Sequence, residues 1–227
     1  MLQKKYVDTL IISDIHLGSD MCRAEKIEKT IKKYKANQLI LNGDIFDSLN
    51  LKRLHSEHWD FLSQIRKISK KCDVIWIHGN HDSMAIELSG LLGIKIYKKY
   101  TWKSKGKRFM AIHGHQFDRL SYKNIVISGI ATFFYHIIQK LDTKNRTISH
   151  FIKRTNKSWL RLSDQVMRGA FLYARLNKVD VIFCGHTHIA KHEEKNGIEY
   201  YNSGSWDAKP SYYITVDKGE VGLVKVD

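Results

Sequence analysis

The spacing of hydrophobic residues changes along the chain. Residues 6–13 (YVDTLIIS) form a short, nearly continuous apolar run, and similar runs recur at residues 38–42 and 73–77. Runs of this length, bounded by Gly and Asp, predict buried strands. Between them, residues 23–34 and 55–70 place apolar side chains three or four positions apart among charges. Ile27, Ile31 and Tyr34 do so in the first segment, and Trp59, Leu62, Ile65 and Ile68 in the second. That is the period of an amphipathic helix. Ser83 stands where it can cap a further helix running to about Leu92. Strands alternating with helices in this way predict an α/β fold with parallel strands.

The rhythm then shifts. Residues 94–97, 100–103 and 108–112 read as strands joined by short turns, whereas residues 119–178 carry no strand signal and read as helices. A buried strand returns at residues 181–184, and short strands at 198–202, 212–216 and 221–225 close the sheet. The expected organisation is one domain over residues 1–227 with a lid-like helical insert at 119–178. Five strands end in side chains that bind metals or move protons. These are Asp14 with His16, Gly43-Asp44 with Asp47, Gly79-Asn80-His81-Asp82, His113-Gly114-His115, and Gly185-His186-Thr187-His188. Parallel strands bring their carboxyl ends to one edge, so these clusters are expected to converge there.

The 227 residues suffice for a substantial core, and a single proline argues against a linker-rich chain. Cys22, Cys72 and Cys184 show no paired spacing, which argues against a disulfide framework and for a reducing compartment. No apolar stretch reaches the roughly 18 residues that a bilayer span needs, and no apolar signal core precedes the first strand. A cytoplasmic protein is expected, at most peripheral on the inner membrane. The net charge of +15 changes the picture most. It predicts an anionic partner, whether nucleic acid, an acidic membrane surface or a phosphorylated substrate. A lysine-coated surface with no partner is the plain alternative.

Two divalent ions held close together need a bridging carboxylate and a mixed nitrogen and oxygen shell. Asp14 and His16 offer a carboxylate and an imidazole on one strand end, and Asp44, just after a glycine, is the natural bridge. Asn80 offers a carbonyl oxygen, and His113, His186 and His188 offer imidazoles. Such a shell suits manganese or iron, with zinc next, and the lack of thiolates argues against a structural zinc site. Two ions activate a water and neutralise a phosphoryl group. His81 fits a general acid or phosphate donor, with Asp82 as a partner to orient its ring. Each of these residues alone has a structural explanation, but five such clusters at strand ends together do not.

Asp14-x-His16, Gly43-Asp44, Gly79-Asn80-His81-Asp82, His113 and Gly185-His186-Thr187-His188 resemble the signature of the calcineurin-like metallophosphoesterases. The resemblance implies two mixed sheets in a sandwich flanked by helices. It also implies Asp14, His16, Asp44 and His188 on one ion, and Asp44, Asn80, His113 and His186 on the other, with His81 catalytic. A narrower resemblance rests on Ser13-Asp14-Ile15-His16-Leu17-Gly18-Ser19, Cys22-Arg23-Ala24-Glu25, Gly43-Asp44-Ile45-Phe46-Asp47, His113-Gly114-His115-Gln116-Phe117-Asp118 and Tyr201-Asn202-Ser203-Gly204-Ser205-Trp206. These are similar to UDP-2,3-diacylglucosamine pyrophosphatases, which release UMP and an acylated sugar phosphate in lipid A assembly. The best-studied branch has Arg at the place of His81, so this chain resembles a sister branch, and His115 stands where Asp is usual after the His-Gly pair.

Residues 119–178 hold twelve Lys and Arg against two Asp, 12 − 2 = +10. They also hold an apolar run at 125–138, too short to span a bilayer but suited to an interfacial or lid helix. Basic and apolar together fit a lipid-linked nucleotide-sugar substrate and an anionic membrane surface. Asn80, His81, Asp118, Lys157, Arg161 and Arg168 are the residues expected to meet that substrate. Nucleic acid is the rival partner for the same charge, with Trp159, Phe171 and Tyr173 as candidates for base stacking.

Overall fold

A computed structural model describes residues 4–48, 50–83, 85–118 and 157–227, the side chains of residues 157 and 158 excepted. Most of the expected insert, including the apolar run at 125–138, lies outside the described residues, so its lid-like reading remains an expectation.

Three strands come first in sequence and lie side by side: β1 (Lys5–Ile12), β2 (Tyr34–Asn42) and β3 (Asp73–Ile77). They pair in parallel, with β4 (Lys95–Tyr97) added to β3. On the other side of β1, the antiparallel β10 (Ser211–Asp217) and β11 (Glu220–Val226) complete a six-stranded mixed sheet. The second sheet has five strands. β6 (Lys107–Ile112), β7 (Val181–Cys184) and β9 (Ile198–Ser203) run parallel, with β5 (Lys99–Ser104) and β8 (Ala190–Lys195) antiparallel at the edges. The helices are α1 (Ala24–Ile31), α2 (Ser56–Ile68), α3 (Ala85–Leu92) and α4 (Lys157–Leu176).

Alternation along the strands decides the layers. Ile11, Ile40, Ile75 and Ile77 point into the space between the sheets, where they meet Phe109, Ala111, Val181 and Phe183. Their neighbours Leu10, Ile12, Leu39, Leu41, Val74 and Trp76 point the other way, beneath the helices, against Ile27, Phe61 and Ile65. The outer face of the second sheet, Met110, Ile112, Ile182 and Cys184, takes Ala170 and Ala174 of α4. Strands buried on both faces read as continuous apolar runs, which is why their sequences show no clean alternation. The molecule is therefore mixed α/β, with two mixed sheets face to face between helices.

Three expectations change. Helix α1 stops at Ile31, and β2 begins at Tyr34, four residues before the expected strand. The early part of β2 pairs with β1 from Lys5 onward, and the Tyr34 hydroxyl bonds that of Tyr213 at 2.6 Å. Trp59 is 50% exposed on α2, and Phe61 fills the core in its place. Strand β8 (AKHEEK) gives no apolar signal because it is an edge strand carrying charges, a composition that discourages edge-to-edge pairing.

Candidate metal centre

Loops leave the carboxyl ends of β1, β2, β3, β6 and β7 and meet at one edge. Backbone hydrogen bonds tie them together. The Asp14 N–H donates to the Gly43 carbonyl at 3.0 Å, the His16 N–H to the Asp44 carbonyl at 3.1 Å, and the Gly185 N–H to the His113 carbonyl at 2.9 Å. Strain concentrates there. Asp14, His16, Asp44, His186 and His188 all have φ between 51° and 66°, five of the nine non-glycine residues with positive φ among the described residues. Each costs of order 1–3 kcal/mol, sustained only where the surroundings hold it. Glycines make the close approach possible. A Cβ on Gly79 would overlap the Asp44 backbone nitrogen and carboxylate, and one on Gly185 would overlap the Asp14 carboxylate.

Two groups of donors result: Asp14, His16 and His188 in one, and Asp44, His113 and His186 in the other. Within each, the donor atoms lie within 4.8 Å of one another. His16 Nε2 stands 3.1 Å from His188 Nε2, which is 3.4 Å from Asp14 Oδ1. In the second group, His113 Nδ1 lies 3.0 Å from the Asn42 carbonyl, and His113 Nε2 lies 3.2 Å from Asp44 Oδ2. A carbonyl only accepts, so Nδ1 carries the proton and the Nε2 lone pair faces a carboxylate.

Electrostatics show what that geometry lacks. Burial pushes Asp14 up to about 8, Asp44 adding to the rise and His113 opposing it. Burial pulls His16 down to about 4, with His188 adding to the fall. For His113 burial acts downward, but the Asp44 carboxylate prevails and lifts it to about 10. The same contact holds Asp44 well below the usual carboxylate range although burial alone would raise it. Without an ion, a proton serves as the cation between His113 and Asp44.

Against known families, the sequence matches the calcineurin-like phosphoesterase family over residues 8–190. The chain belongs to the calcineurin-like phosphoesterases. No curated protein matches the sequence. Among solved structures, similar folds include Yfce, a phosphoesterase from E. coli, with 16% identity over 96% of this chain and 99% of that one at TM-score 0.54. An archaeal phosphodiesterase is 15% identical over 96% and 99% at TM-score 0.53. Vacuolar protein sorting 29 from Cryptosporidium parvum is 14% identical over 97% of both chains at TM-score 0.51. At these identities the likeness speaks for the fold.

As a calcineurin-like phosphoesterase, the chain is a metal-dependent phosphohydrolase, and its donor set fits divalent ions. Two carboxylates and four imidazoles are the hard and borderline ligands such ions take. The Nε2 atoms of His16 and His188 face each other at 3.1 Å, with Asp14 Oδ1 3.4 Å from His188 Nε2, a meeting of lone pairs that a bound ion satisfies.

Other expected site residues fall into place differently. The His81 N–H donates to Asp44 Oδ1 at 2.9 Å, and its ring Nδ1 meets the Asp47 carbonyl at 2.9 Å. Nδ1 therefore carries a proton there, and Nε2 is left for substrate. The ring lies edge-on to His16 at 5.4 Å. Asp82 does not orient that ring, contrary to expectation. Its Oδ1 accepts from the Ile45 and Phe46 N–H groups at 2.8 and 3.3 Å, and its Oδ2 from Trp76 Nε1–H and the Gly79 N–H at 3.1 and 2.9 Å. Both oxygens face inward, so Asp82 is the peg that fixes two site loops. Asp47 accepts from Arg53 Nη1 at 2.6 Å.

Asn80 stands exposed in the same loop. Asp118 is buried, and its Oδ2 lies 3.2 Å from His186 Nε2. Arg161 and Arg168 of α4 line a cavity of about 710 Å³ with Gln116, Phe117, Leu172 and Leu176. Lys157 is outside the residues whose side chains are described. Trp159 is half-buried: its Nε1–H donates to the Thr187 carbonyl at 2.8 Å and its ring lies 6.4 Å from that of His188. Phe171 likewise packs on Tyr200 at 5.9 Å, and Tyr173 on Phe117 at 5.8 Å.

Three further residues join the site without a role expected from the sequence. Asp207 is buried with Oδ2 3.6 Å from His188 Nδ1. Asn202 donates to the Gly185 carbonyl at 2.7 Å and to Thr187 Oγ1 at 3.1 Å, bracing the loop that carries both histidines. Asn42 supplies the carbonyl that sets the His113 tautomer. Asp207 and Asn202 follow from β9 running parallel to β7, which makes its end a sixth wall of the site.

Proposed function

We propose that the chain hydrolyses the diphosphate of an acylated nucleotide sugar, UDP-2,3-diacylglucosamine, to UMP and acylated glucosamine 1-phosphate, the step that serves lipid A assembly. One observation carries this reading. The cavity beside α4 sets Arg161 and Arg168 with Phe117, Leu172 and Leu176, and its lining residues Gln116 and Phe117 stand next in the chain to Asp118, which meets His186. Guanidinium groups suit the diphosphate and the apolar wall suits acyl chains.

Asp14, His16 and His188 would hold one ion and Asn80, His113 and His186 the other, with Asp44 shared between them; manganese fits this oxygen and nitrogen set. The ions supply charge neutralisation at the phosphoryl oxygens and an acidified water. His81 holds its Nδ1 proton on the Asp47 carbonyl and, in its imidazolium form, would give the Nε2 proton to the leaving oxygen, which leaves the neutral ring behind. Asp118 restrains His186. Among the described residues no helix is long and apolar enough to cross a membrane. Access to a lipid substrate would come from peripheral contact with the anionic inner membrane, from the cytoplasmic side.

The test is release of UMP from UDP-2,3-diacylglucosamine by manganese-loaded protein. Turnover supports the reading. Hydrolysis of a chromogenic phosphodiester with no release of UMP overturns it in favour of a phosphodiesterase with another substrate.

A further inference from the structure

The opposite edge of the six-stranded sheet carries a groove of about 700 Å³. It lies where β1 and β2 begin, where Cys72 leads into β3, and where α1 and α2 end. From Lys35 to Asp44 the strand runs nine residues at about 3.3 Å each, so roughly 30 Å separates groove and metal centre. Six lysines line it: Lys4, Lys32, Lys35, Lys67, Lys70 and Lys71.

Lys32 is paired with Glu28, and the other five make no ion pair among the described residues. The carboxyl ends of α1 and α2 each offset about half a charge, and Asp73 at the start of β3 offsets one more. About three positive charges are left unbalanced in a concave site.

The apolar groups beneath them are largely covered. Leu10, Ile31 and Leu39 are buried, Tyr34 and Ile68 are half-buried, and the Tyr34 hydroxyl is bonded to Tyr213. None of the exposed large hydrophobic side chains among the described residues lines the groove. A bilayer surface would need such exposed anchors, and stacked bases would need a row of open aromatic faces, where the groove has one half-buried tyrosine. Ammonium groups on flexible stems, with neither, match a chain of phosphates at any register.

We propose that this groove binds the phosphate backbone of a single-stranded nucleic acid, independently of base sequence and of the metal centre. Three neutralised phosphates give a slope of about −2 in log affinity against log salt, at about −0.7 per phosphate for single strands. Fluorescence anisotropy with a labelled oligouridine and the full chain, across a salt series, reads this directly.

The variant Lys35→Gln/Lys70→Gln/Lys71→Gln should weaken binding at low salt by about tenfold or more and flatten the slope by about 2. Its metal-dependent hydrolysis of a chromogenic diester should match wild type, because the substituted side chains are exposed and lie far from the metal edge. Unchanged affinity and slope in the variant would overturn the proposal by placing the binding elsewhere in the basic chain. So would a wild-type protein that ignores the oligonucleotide, or one that uses these lysines to bind phosphatidylglycerol vesicles instead.

Discussion

Gly169 sits inside α4, where helix propensity alone favours alanine by about 1 kcal/mol. The packing opposes this. A Cβ at Gly169 would lie 2.7 Å from Phe117 Cγ and 2.8 Å from both its Cβ and its Cδ1, whereas ordinary contact begins at 3.4 Å. The clash is at the root of the ring, so a rotation of the tip cannot relieve it. Phe117 is also pinned through its carbonyl, which accepts from Gln165 Nε2 at 2.6 Å. Overpacking of this kind costs about 1–3 kcal/mol, and three short contacts at a pinned residue place Gly169→Ala toward the upper end. After the propensity gain, a net loss of about 1–2 kcal/mol remains, which for a chain of this size lowers Tm by about 2–8 °C. Because Phe117 precedes Asp118, whose carboxylate meets His186, turnover should fall along with Tm. Thermal unfolding of the metal-loaded protein and diester hydrolysis measure the two effects. Phe117→Ala removes two of the three short contacts, so in the Gly169→Ala background it should cost less than it does alone, and the two substitutions together less than their sum. A Gly169→Ala variant that is more stable than wild type and equally active would refute the argument.

His81→Ala should keep its metal content and lose on the order of 10²-fold or more in turnover, as removal of a general acid does; elemental analysis beside a rate measurement separates the two. Asp44→Ala should instead lose metal, since its carboxylate faces His113 and stands at the proposed bridge. Asp82→Asn should act on stability, because a carboxylate with four N–H donors becomes an amide that can accept with one oxygen only; at about 1–3 kcal/mol for buried donors left unmet, Tm should drop by several degrees with metal affinity largely retained. The metal-free protein should lose stability as pH rises from about 6.5 to about 10. Asp14, raised to about 8, and His113, raised to about 10, both hold protons in the folded state that the unfolded chain releases earlier. Adding metal should flatten that dependence, because the ions take the place of those protons; denaturant melts with and without chelator across this range test it.

The amino-acid sequence by itself determined the strands buried on both faces, because runs such as VIWI and VIFC are short, rich in β-branched and aromatic residues and end near glycine, which suits a covered strand rather than a helix. It also located the carboxylates and imidazoles of the candidate metal centre, because each stands within four residues of the end of such a strand. Tertiary structure decided what depends on pairing and direction. Strand β8 shows no pattern of its own and exists because β9 offers it an edge. Asp207 and Asn202 enter the site because β9 runs parallel to β7, a choice of direction that leaves no mark on local sequence. Asp82 follows His81 in the chain, yet its carboxylate turns inward to the four N–H groups that converge there, so adjacency in sequence misassigned its role. Local periodicity records which face of an element is covered, and only the assembled sheets determine which loop lies against which.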